Sequence, residues 1–232
     1  MHTDVGKTLK TRHRDLGVHK IILSYNHNRN FRLLRSAVQE GIRVELMTNE
    51  SCTRNCIYRD ICYAIESNTG SRFPYQPRDS NIDIRGFPYS RCWQETSRNF
   101  PREFLKVGWI RPEDLVKYGD LGIHNFKITG RTMEQEDILF MTEGYLKMQH
   151  SGNLLDLMPV IAGSSETGAE LEGARHTDYY LDNESLDGFI DHFVDKKEKC
   201  DDICQMDCWY CDDFAKKLRK ERKVWGKNIW NS

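Results

Sequence analysis

IILSYNHNRNFRLLRSAVQEGIRVELMTNESC, residues 21–52, holds two short apolar runs, at residues 21–24 and 44–47, on either side of one helix-period segment at residues 31–40. In that segment Phe31, Leu34 and Val38 recur at the spacing of a single helix face. Gly41 stands just before the second run, where a helix C-cap glycine belongs. A strand, a helix and a strand at this spacing form a βαβ unit, which requires the two strands to be parallel.

The rhythm continues outward. Further strand-like runs lie at residues 107–110 and 126–129, and helix-period segments at residues 7–15, 112–118 and 133–148. Ile138, Met141, Tyr145 and Met148 share a face in the last of these, and Gly17 and Gly122 mark two more helix ends. The expected class is α/β with four parallel strands. Two stretches interrupt it. A polar insert at about residues 50–105 holds four of the six prolines, and residues 151–180, rich in Gly, Ser and Glu, read as a linker. The expected organisation is a (β/α) domain over residues 1–150, the linker, and a cysteine-rich extension over residues 181–232. A basic helix at residues 214–223 reads as a solvated face.

The chain's 232 residues suit one ordinary domain with an extension. With 34 Lys+Arg against 35 Asp+Glu, no global field recruits nucleic acid or an anionic membrane. No apolar run approaches the length of a membrane span, and the first residues lack the apolar core of a secretory signal. The expectation is a cytoplasmic protein with no membrane partner. In a reducing compartment its eight cysteines point to metal rather than to disulfides.

The cysteines fall into two groups. Cys52, Cys56, Cys62 and Cys92 are separated by three, five and twenty-nine residues and begin directly after the run VELM, at the carboxyl end of a strand, where α/β proteins place their sites. Their spacing is looser than the paired knuckles of zinc ribbons, which favours a [4Fe-4S] cluster over structural zinc. Cys200, Cys204, Cys208 and Cys211 lie within twelve residues and suit a second closed four-thiolate site, iron–sulfur or zinc, with Trp209 and Tyr210 placed to shield it. Cys204, Cys208 and Cys211 also match the CxxxCxxC spacing of radical S-adenosylmethionine enzymes, although in that family the triad follows the first barrel strand.

LSYNHNRNF at residues 23–31, VELMTNESC at 44–52 with Cys56, GWIRPEDL at 108–115 and FKITGR at 126–131 together resemble the peptidase U32 family in order and spacing. The resemblance covers about residues 14–150, and LDNESLDGF at 181–189 resembles an extension carried by some members. It implies a TIM-barrel-like domain with a four-cysteine [4Fe-4S] cluster, for which Cys52, Cys56, Cys62 and Cys92 are the counterparts of the family's ligands. Members are labelled peptidases or collagenases, and relatives act in oxygen-independent hydroxylation of RNA or small metabolites. A family barrel has eight strands and this chain offers four, so a second barrel half or a homodimer partner is expected, with RNA a candidate partner and the electron or oxygen donor unspecified.

Glu45 sits inside a strand, where a carboxylate is costly unless paired or used. Lys127 and Arg131 flank the end of another and can hold it or an anionic substrate, so the three form the candidate catalytic set, against the alternative of a structural ion-pair network. Asn28, Arg29, Asn30 and Asn49 stand at neighbouring strand ends. A peptidase mechanism finds no HExxH pair and no GxSxG elbow. An iron–sulfur enzyme leads, and a non-enzymatic electron-transfer or assembly subunit is the competing class.

Overall fold

The computed structural model describes residues 5–60, 91–130, 133–158, 179–195, 200 and 208–226. Helix α1 (Val5–Leu16) leads into β1 (Lys20–Leu23), and α2 (Phe31–Gln39) into β2 (Arg43–Met47). Then come α3 (Arg91–Arg98), α4 (Arg102–Leu105), α5 (Leu115–Gly119), β3 (Asn125–Lys127) and α6 (Gln135–Lys147). The C-terminal part adds β4 (Tyr180–Leu181), α7 (Asp191–Asp195), α8 (Tyr210–Lys220) and β5 (Val224–Trp225).

Among the described residues β1, β2 and β3 form one parallel sheet in that order, which does not close into a barrel. The βαβ unit is as expected from the sequence. Helix α2 starts where Asn30 accepts a hydrogen bond from Leu33 N at 3.0 Å, and it ends before Gly41, whose φ of 77° suits glycine. Its apolar face, with Phe31, Leu34 and Ala37 buried, lies on β2.

Residues 107–110 correct the expected fourth strand. Val107, Trp109 and Ile110 are buried as an interior strand would be, yet their backbone makes no ladder. Ile110 N reaches Thr48 O at 2.7 Å, but Gly108 O is taken by the Asn28 side-chain amide and Ile110 O by the Tyr145 hydroxyl at 2.9 Å. Side chains from other elements satisfy the groups a neighbouring strand would have used. The described sheet therefore has three parallel strands instead of four.

The two faces of the sheet differ. Leu23, Val44 and Leu46 point into the core, whereas Lys20, Ile22, Arg43, Asn125 and Lys127 point the other way and are exposed, Ile22 at 48%. Glu45 lies on this open face, half-buried, with Ile22 as its partner on β1 and Asn125 as its partner on β3.

The C-terminal part is packed onto the (β/α) unit. Helix α8 lies against α4, and β4 pairs antiparallel with β5. Arg111, 2% exposed, holds both Asp114 oxygens from Nε and Nη2 at 3.2 and 3.1 Å, Asn183 O at 2.6 Å and Asp187 at 3.0 Å. Rings stack continuously across the same junction. Phe104, Trp109, Phe189, Tyr210 and His192 follow one another at centroid spacings of 5.9, 5.5, 5.3 and 3.7 Å.

Asn49 fastens the ends of β2 and β3. Wholly buried, it donates to Thr129 O at 3.0 Å and Leu157 O at 3.1 Å, and accepts from Thr129 N at 2.7 Å. Asn49→Asp keeps the shape but cannot donate, and it places a charge beside two carbonyls. It should cost about 2–4 kcal/mol, read as a lowered urea midpoint at unchanged slope. An unchanged midpoint would show that this clamp carries no weight.

Candidate metal centre

The segment after β2 is built as a cradle for its cysteines. Glu50, 7% exposed, turns its carboxylate back onto the chain and accepts from Ser51 N and Cys52 N, each at 3.1 Å. Its other oxygen meets Arg59 at 3.1 Å, closing a loop around Cys52 and Cys56. The Arg59 guanidinium lies 4.5 Å from the Tyr25 ring centroid, and the Tyr25 hydroxyl donates to Thr53 O at 3.0 Å. Asn55, with φ of 52°, donates from its backbone to Asn26 at 3.1 Å. The loop is thus pinned to the segment that follows β1, at the carboxyl end of the sheet.

Charge in this cradle is held by mutual pairing. Burial pushes the Tyr25 hydroxyl well above the ordinary tyrosine range, and the neighbouring Arg59 pulls it only partly back. Burial works against the Arg59 charge, but Tyr25 and Glu50 outweigh it, so Arg59 stays protonated more firmly than a free arginine.

Cys52 is exposed, Cys56 half-buried, Cys200 and Cys208 half-buried, and Cys211 buried in the first turn of α8. Cys62 and Cys204 lie outside the described residues. Cys92 falls on α3, but its side chain lies outside the description too. Among the described residues no three His, Cys, Asp or Glu side chains come together as a metal site. Cys200, Cys208 and Cys211, all described, do not converge, and one contact links the loop of the middle group to the C-terminal group. Arg54, between Cys52 and Cys56, donates from Nη1 to Cys200 Sγ at 3.0 Å. Trp209 does not enclose this region, being 56% exposed, whereas Tyr210 is half-buried in the ring stack.

The other candidate residues occupy different places. Glu45 pairs with Lys20 on β1 at 2.7 Å, and Lys127 is exposed on the same open sheet face. Arg131 lies outside the described residues. Asn28 donates to Met47 O at 2.7 Å and to Gly108 O, so with Asn49 and the helix cap Asn30 it holds backbone in place at the sheet's carboxyl end. Sequence reasoning did not foresee Glu50, Arg54 or Arg59. The visible signal was two arginines and a glutamate interleaved with thiols in ESCTRNCIYR at residues 50–59.

Compared with known proteins, the chain is similar to an uncharacterized protease of Methanocaldococcus jannaschii, 28% identical over 206 residues. That stretch is 88% of this chain and 54% of the relative, so the chain spans about half the length of the curated relative it matches. No family model matches the chain, and no solved structure matches it. Among the described residues no helix is long and apolar enough to cross a membrane.

Proposed function

We propose that this chain is an iron–sulfur enzyme of the U32-like type, modifying RNA or a small metabolite by hydroxylation that does not use dioxygen. The observation that carries the reading is the cradle after β2, which presents Cys52 and Cys56 at the carboxyl end of a parallel sheet, with Arg54 reaching Cys200 at 3.0 Å. Buried guanidinium donors beside thiols fit an anionic tetrathiolate centre better than they fit neutral cysteines. Cys52, Cys56, Cys62 and Cys92 would hold one cluster, and Cys200, Cys204, Cys208 and Cys211 a second cluster or zinc. A bound cluster supplies electron transfer or an iron site for oxygen chemistry. Lys127 and Arg131 are assigned to an anionic substrate group, with Glu45 held by Lys20 on the same face. The name of the similar protein favours a second reading, a U32-type peptidase.

Anaerobic purification with iron, zinc and labile-sulfide analysis tests the proposal. About four iron and four sulfide per filled site are expected, with a paramagnetic signal on reduction. A chain holding neither iron nor sulfide sinks it. Peptide hydrolysis by the metal-loaded protein, lost on chelation, would establish the second reading instead.

The open sheet face and the edge strands β1 and β3, each paired on one side only among the described residues, are assigned to further (β/α) units, from a second copy or another chain. An edge strand with no further strand partner among the described residues, carrying the exposed Ile22, is a template for association. At micromolar concentration the chain alone should scatter light as a dimer or larger. A monodisperse monomer would contradict the shared-barrel proposal.

A further inference from the structure

Glu113 and Asn183 meet where the C-terminal part is packed onto the (β/α) unit. Glu113, half-buried, stands two residues before α5, and Asn183, 1% exposed, lies just after β4. The Asn183 amide nitrogen donates to Glu113 Oε1 at 3.0 Å and to His150 O at 2.7 Å, and the same Oε1 accepts a second bond from His150 N at 2.6 Å. Both amide hydrogens are thereby used. The two remaining oxygens, Glu113 Oε2 and Asn183 Oδ1, are buried and have no donor among the described residues.

Buried acceptors without a donor are rare, because each has given up water and gained nothing in return. These two belong to groups that are already bonded to each other. A carboxylic acid and a primary amide can join at two points: the amide N–H donates to one oxygen of the acid, and the acid O–H donates to the amide oxygen. The first of these bonds is present. The second needs a proton on Oε2, since an ionised carboxylate is an acceptor only and offers nothing to Asn183 Oδ1.

The surrounding charges favour the neutral acid. Arg111 divides its hydrogen bonds among Asp114, Asp187 and Asn183 O and gives none to Glu113. Two carboxylates therefore already face one guanidinium, and an ionised Glu113 would be a third negative charge beside it. Of the other titratable groups near Glu113, the Tyr145 hydroxyl donates to Ile110 O, and the His150 ring lies with Nε2 at 2.9 Å from Asn153 O. Neither supplies Oε2 with a donor.

We infer that Glu113 keeps a proton in the folded chain at neutral pH and donates a hydrogen bond from Oε2 to Asn183 Oδ1, a two-point latch that ties the C-terminal part to the (β/α) unit. When the proton leaves to solvent, two acceptors face each other and the latch opens. The folded chain then holds a proton that the unfolded chain has already released. Stability from the latch is fully present below the ordinary glutamate range of about 4.3 and is lost as pH rises to the point where the folded chain gives up that proton. The latch depends neither on what the cysteines hold nor on the activity of the chain.

Infrared spectra of the full chain at neutral pH should show the carbonyl stretch of a protonated carboxyl, and Glu113→Gln should lose that band. Glutamine offers an N–H where the acid has its O–H, so this variant copies the closed latch at every pH. Its urea midpoint should match that of the unaltered protein in acid and exceed it at neutral and higher pH. Across the interval in which the proton is held by the folded chain alone, the unaltered protein should lose about tenfold in its folding constant per pH unit relative to the variant, as one proton requires. Asn183→Asp, which removes the amide, should abolish the difference between glutamate and glutamine at position 113. A spectrum unchanged by Glu113→Gln, or a gap between the two midpoints that does not vary with pH, would overturn the latch and leave Oε2 to a buried water.

Discussion

Gly108→Ala should unfold the site from beneath, leaving little soluble protein and no retained metal. A Cβ at position 108 would stand 2.1 Å from the carbonyl oxygen of Tyr25 and 2.9 Å from its carbonyl carbon. The obstacle is backbone, so no side-chain rotation relieves it. The Tyr25 backbone cannot retreat cheaply, because its ring is wholly buried under Arg59 and its hydroxyl holds the cysteine loop through Thr53 O. Gly108 is fixed from its own side as well, since Asn28 binds its carbonyl while also binding Met47 O. Overpacking typically costs about 1–3 kcal/mol where side chains can shift, and here the cost should be at or above the top of that range. Against a total stability of roughly 5–15 kcal/mol for a domain, the urea midpoint should fall by a large fraction. A variant with the parental midpoint would mean that these two segments do not lie together in solution.

Cys56→Ser and Cys208→Ser should each remove about half of the bound metal. The two residues belong to groups that enter from opposite ends of the chain, Cys56 from the cradle after β2 and Cys208 from just before α8. A serine in place of one thiolate leaves an iron or zinc incompletely held, and such a site is labile. If both sites carry [4Fe-4S], iron should fall from about eight to about four per chain in either variant, and to near zero in the double. If the C-terminal site carries zinc, Cys208→Ser lowers zinc and spares most of the iron. Complete loss of iron from either single variant would show one shared site, and the two-site scheme would have to go.

The βαβ core was readable because burial leaves a periodic trace. Leu23, Val44 and Leu46 are buried members of two short apolar runs, and Phe31 and Leu34 recur at helical spacing, so β1, α2 and β2 could be placed from the pattern. The same trace misled at Val107, Trp109 and Ile110. They are as buried as a strand, but the carbonyls of Gly108 and Ile110 are satisfied by Asn28 and Tyr145, 80 and 35 residues away, and periodicity carries no record of such partners. The two-residue strands β4 and β5 are too short to leave a pattern. The cysteines were singled out by their spacing alone, whereas the approach of Arg54 to Cys200 crosses 146 residues of sequence and arises only from packing. Glu45 was legible as a carboxylate needing a partner, but that partner is Lys20 on the neighbouring strand, fixed by a register that pairs Ile22 with Glu45.

Arg111 sets a limit on how such a chain can be divided or shuffled in descent. Its guanidinium belongs to the stretch before α5, while two of its acceptors, Asn183 O and the Asp187 carboxylate, come from the C-terminal part. A recombination event that exchanged that part for an unrelated one would strand a buried cation with a single carboxylate, Asp114. Leaving donors of a buried guanidinium without acceptors costs about 1–3 kcal/mol each. The two parts are therefore bound to be inherited together, and since the Asn183 acceptor is a backbone carbonyl that any residue keeps, Asp187 is the C-terminal side chain whose replacement bears on Arg111.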